Sequence, residues 1–149
     1  MFMKNIIYVF LALAIALSAC KKEQHKQFST WYVNGQEFKT NEVHATRGKA
    51  THILGTDWTG YQKGFSIQFH SGYFPYNETL LLKCGNVQNP AWCCVTIHLD
   101  GTSYEGQEGA VIRGVLQNNK ASYILDSTWM YSVLDRSDSI LVYGTFNEP

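Results

Sequence analysis

Five histidines (His25, His44, His52, His70, His98) and four cysteines (Cys20, Cys84, Cys93, Cys94) are the side chains of this 149-residue sequence best suited to holding a metal or moving a proton. Their spacing limits what they can do. His70 in "GFSIQFHS" and His98 in "WCCVTIHL" each fall on the polar face of an alternating segment. They converge only if those two segments pair. Cys94 and His98 share one face of an extended segment, which supplies two ligands and no recognisable zinc spacing. No metal and no cofactor is therefore expected. Glu105 and Glu108 in "GTSYEGQEG" form a close carboxylate pair. Glycoside hydrolysis needs two carboxyls flanking a cleft at a defined separation, and neighbours in a polar turn do not provide it. The sequence contains no hydrolase elbow, zinc-protease helix, phosphate loop or dinucleotide fingerprint. The expectation is a protein without a catalytic site.

The aromatic side chains point elsewhere. "SGYFPYNET" places Tyr73, Phe74 and Tyr76 around Pro75 in a loop, and "GTDWTGYQKG" places Trp58 and Tyr61 in another. Loop aromatics stack on sugar rings or fill a partner's pocket at small entropic cost. They also fold back to cap the ends of a β-domain. These five residues are the candidate ligand contacts.

Cys84, Cys93 and Cys94 are read by strand parity. Cys84 shares a face with Leu80 and Leu82, and Cys93 shares one with Val95, Ile97 and Leu99. Both faces are apolar, so a Cys84–Cys93 disulfide closing "GNVQNPAW" is expected. Such a bridge is worth roughly 2–3 kcal/mol on the chain-entropy account. Cys94 faces outward with Thr96 and His98. A single bulge would exchange Cys93 and Cys94 and give Cys84–Cys94 instead.

The elements that carry these residues are short strands. "TWYVNGQEF" is a hairpin, because Asn34-Gly35 suits a type I′ turn whose two central residues need positive φ. "EVHATR", "ATHILGTD" and "GFSIQFHS" follow, the last with Phe65, Ile67 and Phe69 on one face. "ETLLLKC", "WCCVTIHL", "GAVIRGVLQ", "ASYILDS", "TWMYSVL" and "SILVYGTF" complete about ten strands, with Asp100-Gly101 as a further turn. Spacing and alternation predict an all-β fold, an antiparallel β-sandwich, with a lipocalin-like barrel as the alternative. The body, residues 30–149, is one domain by size.

Twelve basic and twelve acidic side chains balance, and no basic stripe of the kind nucleic-acid binding requires is present. The start of the chain differs in character. Lys4 precedes an unbroken apolar block, Ile6 to Leu17, followed by Ser18, Ala19 and Cys20. As a helix, residues 6–19 would span roughly 21 Å, against a hydrocarbon core of ~30 Å, so the block reads as a signal peptide rather than a membrane span.

Leu17-Ser18-Ala19-Cys20 resembles the lipobox of bacterial lipoproteins. The resemblance implies cleavage before Cys20, a diacylglycerol on its thiol and usually a further acyl chain on the new N-terminus. Residues 1–19 are then a signal peptide, and residues 20–29 are the lipidated cysteine and a polar tether. A single acyl chain binds only marginally, whereas two or three hold a protein to a membrane. Lys21 follows the cysteine in place of the aspartate that retains many lipoproteins at the inner membrane. The expected location is thus the outer membrane, facing the periplasm or the cell surface. The Cys-Lys-Lys start, "WYVNGQEF" and "ILVYGTF" also resemble small all-β lipoproteins of the Bacteroidetes. Asp126-Ser127-Thr128 and Asp138-Ser139-Ile140 are similar to the acceptor motif for protein O-glycosylation in those bacteria. The expected function is a membrane-anchored, non-catalytic binding or accessory module for glycan or another envelope protein. A structural envelope protein or a small lipoprotein enzyme inhibitor is the alternative.

Overall fold

The computed structural model describes residues 27–47, 51–57, 63–85, 89–117 and 119–149. Among these residues, alternation of apolar and polar side chains produces eleven strands: β1 (Ser29–Val33), β2 (Gln36–Thr40), β3 (Val43–Thr46), β4 (Thr51–Asp57), β5 (Lys63–Phe69), β6 (Glu78–Leu82), β7 (Trp92–Leu99), β8 (Thr102–Gly106), β9 (Val111–Gln117), β10 (Lys120–Ser132) and β11 (Ser139–Asn147). The fold is all-β. Among the described residues no helix is long and apolar enough to cross a membrane.

The strands form one sheet in the order β2-β1-β11-β10-β9-β6-β7-β5-β4-β3. β8 lies off this path and bridges β7 to β10. The path β7-β6-β9-β10-β8 is therefore a closed ring, from which β11-β1-β2 and β5-β4-β3 extend as two wings. The wings face each other across the core. Trp31 of β1 packs edge-on to Phe65 of β5, with centroids 5.3 Å apart, and Phe65 meets Phe146 of β11 at 4.7 Å. The wings also touch between β2 and β4: Thr40 Oγ1 donates to the Thr56 carbonyl at 2.8 Å. The architecture combines a sandwich of two wings with a small closed ring.

Several local expectations match this arrangement. Asn34 and Gly35 have φ of 50° and 85°, and Asp100 and Gly101 have 49° and 85°, as tight hairpin turns require. Phe65, Ile67 and Phe69 are fully buried on one face of β5. Two expectations need correction. "GTSYEGQEG", read as a polar turn, contains β8, which closes the ring. "ASYILDS" and "TWMYSVL", read as separate strands, are the single thirteen-residue β10. Its register against β11 shifts between Leu125 and Thr128, so Asp126 and Ser127 form a β-bulge that bends the strand from one neighbour set to the other.

All strand pairs are antiparallel except β6 with β7. Parallel neighbours ordinarily need a long crossover. Here the contact is two residues long, Leu81↔Trp92 and Leu82↔Cys93, so the end of β6 lies beside the start of β7.

The start of the described chain is fastened by a buried polar clasp. Gln27 Nε2 donates to Ser122 Oγ and Asn147 Oδ1, both at 2.9 Å. Asn147 Nδ2 donates to the Phe28 carbonyl, and its backbone N–H donates to Ser29 Oγ at 2.9 Å. Ser29, which the sequence placed at the end of the tether, is fully buried as the first residue of β1.

Candidate functional site

A shallow concave feature lies on the outer face of β1, β11 and β10. Register explains it. Thr30, Thr145 and Ile124 form one outward row, since Thr30 pairs with Thr145 and Thr145 with Ile124. Tyr32 and Tyr143 form the next, and that row runs on into the Asp126-Ser127 bulge. The two tyrosine rings stack with centroids 4.7 Å apart and planes 10° apart. Because β11 lies between β1 and β10, Tyr143 gives one face to Tyr32 and turns the other toward the bulge. The result is an open groove of about 430 Å³.

Its floor depends on the absence of a side chain. A Cβ at Gly144 would stand 2.5 Å from the Thr30 carbonyl oxygen and 2.6 Å from Trp31 Cα. Glycine therefore lets β1 lie close over β11. The polar groups are ordered by one another. Arg113 Nη2 donates to Asp126 Oδ1 at 2.9 Å. Tyr32 Oη donates to Glu37 Oε2 at 2.7 Å, which raises the Tyr32 pKa and keeps the phenol protonated. The groove so combines an aromatic face, the hydroxyls of Thr30, Thr145 and Ser127, and the Asp126 carboxylate, which Arg113 holds from beside the groove.

The expected ligand residues are dispersed. Phe74 is buried, edge-on to Phe69 at 6.3 Å, with the Arg47 guanidinium 4.9 Å from its ring centre. It caps the core. Tyr73 and Tyr76 stay about half exposed. The loop backbone rests on β9, where a Cβ at Gly114 would stand 2.8 Å from the Pro75 carbonyl oxygen. Trp58, Tyr61 and Cys20 lie outside the described residues. Tyr32, Tyr143 and Asp126 went unnoticed as ligand contacts. Tyr32 lies far from the other two along the chain, and the bulge that brings Asp126 to the tyrosines reads in the sequence as a break between strands.

The disulfide also differs from expectation. Cys84 is bonded to Cys94, and among the described residues Cys93 is the free thiol, buried. Parity holds within β7: Cys93 points inward with Val95 and Ile97, and Cys94 lies with Thr96, its Sγ 3.6 Å from Thr96 Oγ1. Parity fails for Cys84 because β6 ends at Leu82. Beyond that end the backbone turns the Cys84 side chain to the outer face, while Lys83 N–H still donates to the Cys93 carbonyl at 2.8 Å. Burial pushes the Cys93 thiol up to about 12.

His70 and His98 do not converge. His98 pairs with Gly64, six residues from His70 along β5, which is roughly 20 Å at strand rise. His98 Nδ1 lies 3.0 Å from Ser103 Oγ, and burial lowers its pKa. Glu105 and Glu108 also separate. Glu105 sits in β8 and Glu108 pairs with Lys83 at 2.5 Å.

This chain matches no known family model, no curated protein and no solved structure.

Proposed function

We infer that the protein is a lipid-anchored envelope protein whose β-domain is a non-catalytic module that binds saccharide in the Tyr143 groove. The observation that carries this reading is the free face of the stacked Tyr32–Tyr143 pair, set across an open groove from the Asp126-Ser127 bulge. A pyranose has apolar C–H faces and a rim of hydroxyls. An aromatic face takes the first, and charged or hydroxyl side chains take the second. Leu17-Ser18-Ala19-Cys20 supports the anchor: Cys20 takes the lipid, and the protein resides at the outer membrane, on its periplasmic or surface side.

The test is a glycan array probed with the native protein in detergent. A saccharide signal abolished by Tyr143→Ala, weakened by Asp126→Asn and kept in Tyr73→Ala and Tyr76→Ala supports the groove. A signal that survives Tyr143→Ala, or no signal from the native protein, removes it. The anchor is tested separately: Cys20→Ser leaves the protein without lipid by mass spectrometry and extractable without detergent.

One observation favours a protein partner as a second reading. At the β10–β11 hairpin, Val133 is 51% and Leu134 is 87% exposed. Exposed aliphatic side chains at a turn are suited to a partner's pocket. A co-purifying envelope protein lost in Leu134→Asp would establish this reading, and unchanged co-purification would end it.

A further inference from the structure

Three donor side chains meet on the outer face of the ring, away from the groove. Cys84 lies just past β6, Cys94 is in β7 and Glu105 is in β8. The two Sγ atoms and a Glu105 carboxylate oxygen all lie within 4.8 Å of one another. Among the described residues Glu105 has no ion pair. The neighbouring cation, Lys83, is taken by Glu108 and lies over the Trp92 ring, 4.7 Å from its centre. A carboxylate is thus held against two sulfurs with no positive charge opposite it.

We propose that the thiol-reduced protein binds one soft or borderline divalent cation, of the Zn²⁺ class, through Cys84, Cys94 and Glu105. The disulfide and the metal are then alternative occupants of one site. The chemistry is balanced by a small thiol. Two thiol molecules supply two electrons and two protons to the Cys84–Cys94 bond and leave joined as their own disulfide. The cation then displaces the two protons from the cysteine sulfurs. Zn–S bonds of ~2.3 Å and Zn–O bonds of ~2.0–2.2 Å place tetrahedral ligands closer together than the 4.8 Å limit found here. Two thiolates select zinc-like ions over Mg²⁺ and Ca²⁺, which prefer all-oxygen sites. Cys84 and Glu105 are half-buried, so the fourth coordination position opens to solvent. The ladders that hold the site remain when the bridge opens. Thr96 pairs with Glu105 across β7 and β8, and Leu82 pairs with Cys93 across β6 and β7.

Co²⁺ is the probe, because thiolate–Co²⁺ charge transfer absorbs in the near ultraviolet. The full chain is titrated with Co²⁺ before and after reduction, Zn²⁺ then displaces the Co²⁺, and far-ultraviolet dichroism follows the β-structure throughout. The oxidised protein is expected to give no band, and the reduced protein to give one saturating at a single equivalent. Cys93→Ser keeps the band, and Cys84→Ser and Cys94→Ser each abolish it. Glu105→Gln, which leaves the sulfurs in place, weakens Zn²⁺ binding by about tenfold or more, at least the cost of losing an outer-shell partner. The proposal is overturned if the reduced protein shows no band, if the band survives Cys84→Ser, or if Glu105→Gln binds Zn²⁺ as tightly as the native protein.

Discussion

One buried and one half-buried residue have strong consequences at the scale of single side chains. Tyr123 is fully buried against Phe69, with centroids 4.7 Å apart, and its hydroxyl has no hydrogen-bond partner among the described residues. Burial, with Glu148, Cys93 and Glu78 adding to it, raises its pKa, so the phenol stays neutral. An unpaired buried hydroxyl costs about 1–3 kcal/mol. Tyr123→Phe is therefore expected to raise the thermal midpoint, and a scanning-calorimetry midpoint below that of the native protein would refute this. His98 has a folded pKa below its usual 6.5 because of burial. Above 6.5 both folded and unfolded states are neutral at this residue. Below it the unfolded chain gains a proton that the folded chain resists, so stability falls as pH drops toward the folded value. The urea midpoint should fall less between pH 7.5 and 5.5 in His98→Gln than in the native protein. At this scale the sequence was informative wherever one ladder sets the side-chain direction, as for Phe65, Ile67, Phe69 and Cys93. It misled at Cys84, where the strand ends two residues earlier and parity no longer applies.

At the scale of elements, the groove depends on how closely β1 approaches β11. Gly144→Ala would push a methyl group against the Thr30 carbonyl and Trp31. Overpacking of this kind costs about 1–3 kcal/mol. The expected outcome is a lower denaturation midpoint together with weaker saccharide binding, measured on the same preparation. Hairpins such as β1–β2 were legible because Asn34-Gly35 carries its own turn chemistry. β8 was not, because only Tyr104 and Gly106 of its five residues are buried, and its flanking glycines imitate a turn. β10 was read as two strands because Asp126-Ser127 looks like a break. The bulge keeps the strand continuous and serves as one wall of the groove. Tyr32 and Tyr143 lie 111 positions apart, and only the pairing of β1 with β11 makes them neighbours.

For the whole molecule, the all-β class followed from composition and alternation, whereas the closed ring and its two wings depend on which strands pair, and no short-range signal encodes that. The polar clasp shows the same limit. Ser122 and Asn147 are ordinary polar residues in the sequence, yet both are buried and hold Gln27 and Phe28 against the end of β11. Asn147→Ala leaves Gln27, the Ser122 hydroxyl and the Phe28 carbonyl short of partners, at about 1–3 kcal/mol for each group left buried. Hydrogen exchange should then quicken first at β1 and the end of β11, ahead of β5 and β7. The placement of β1 has a mechanical side as well. All five of its residues pair with β2 on one edge, four of them, Thr30 to Val33, pair with β11 on the other, and the chain enters it directly from the clasp. A pull on the N-terminal end along the strand loads both ladders in shear, so their hydrogen bonds resist together rather than opening one at a time like a zip. The groove rests on that same strand. Tension between a ligand stacked on Tyr143 and the N-terminus would run through β11 and β1, and the Cys84–Cys94 disulfide lies off that path.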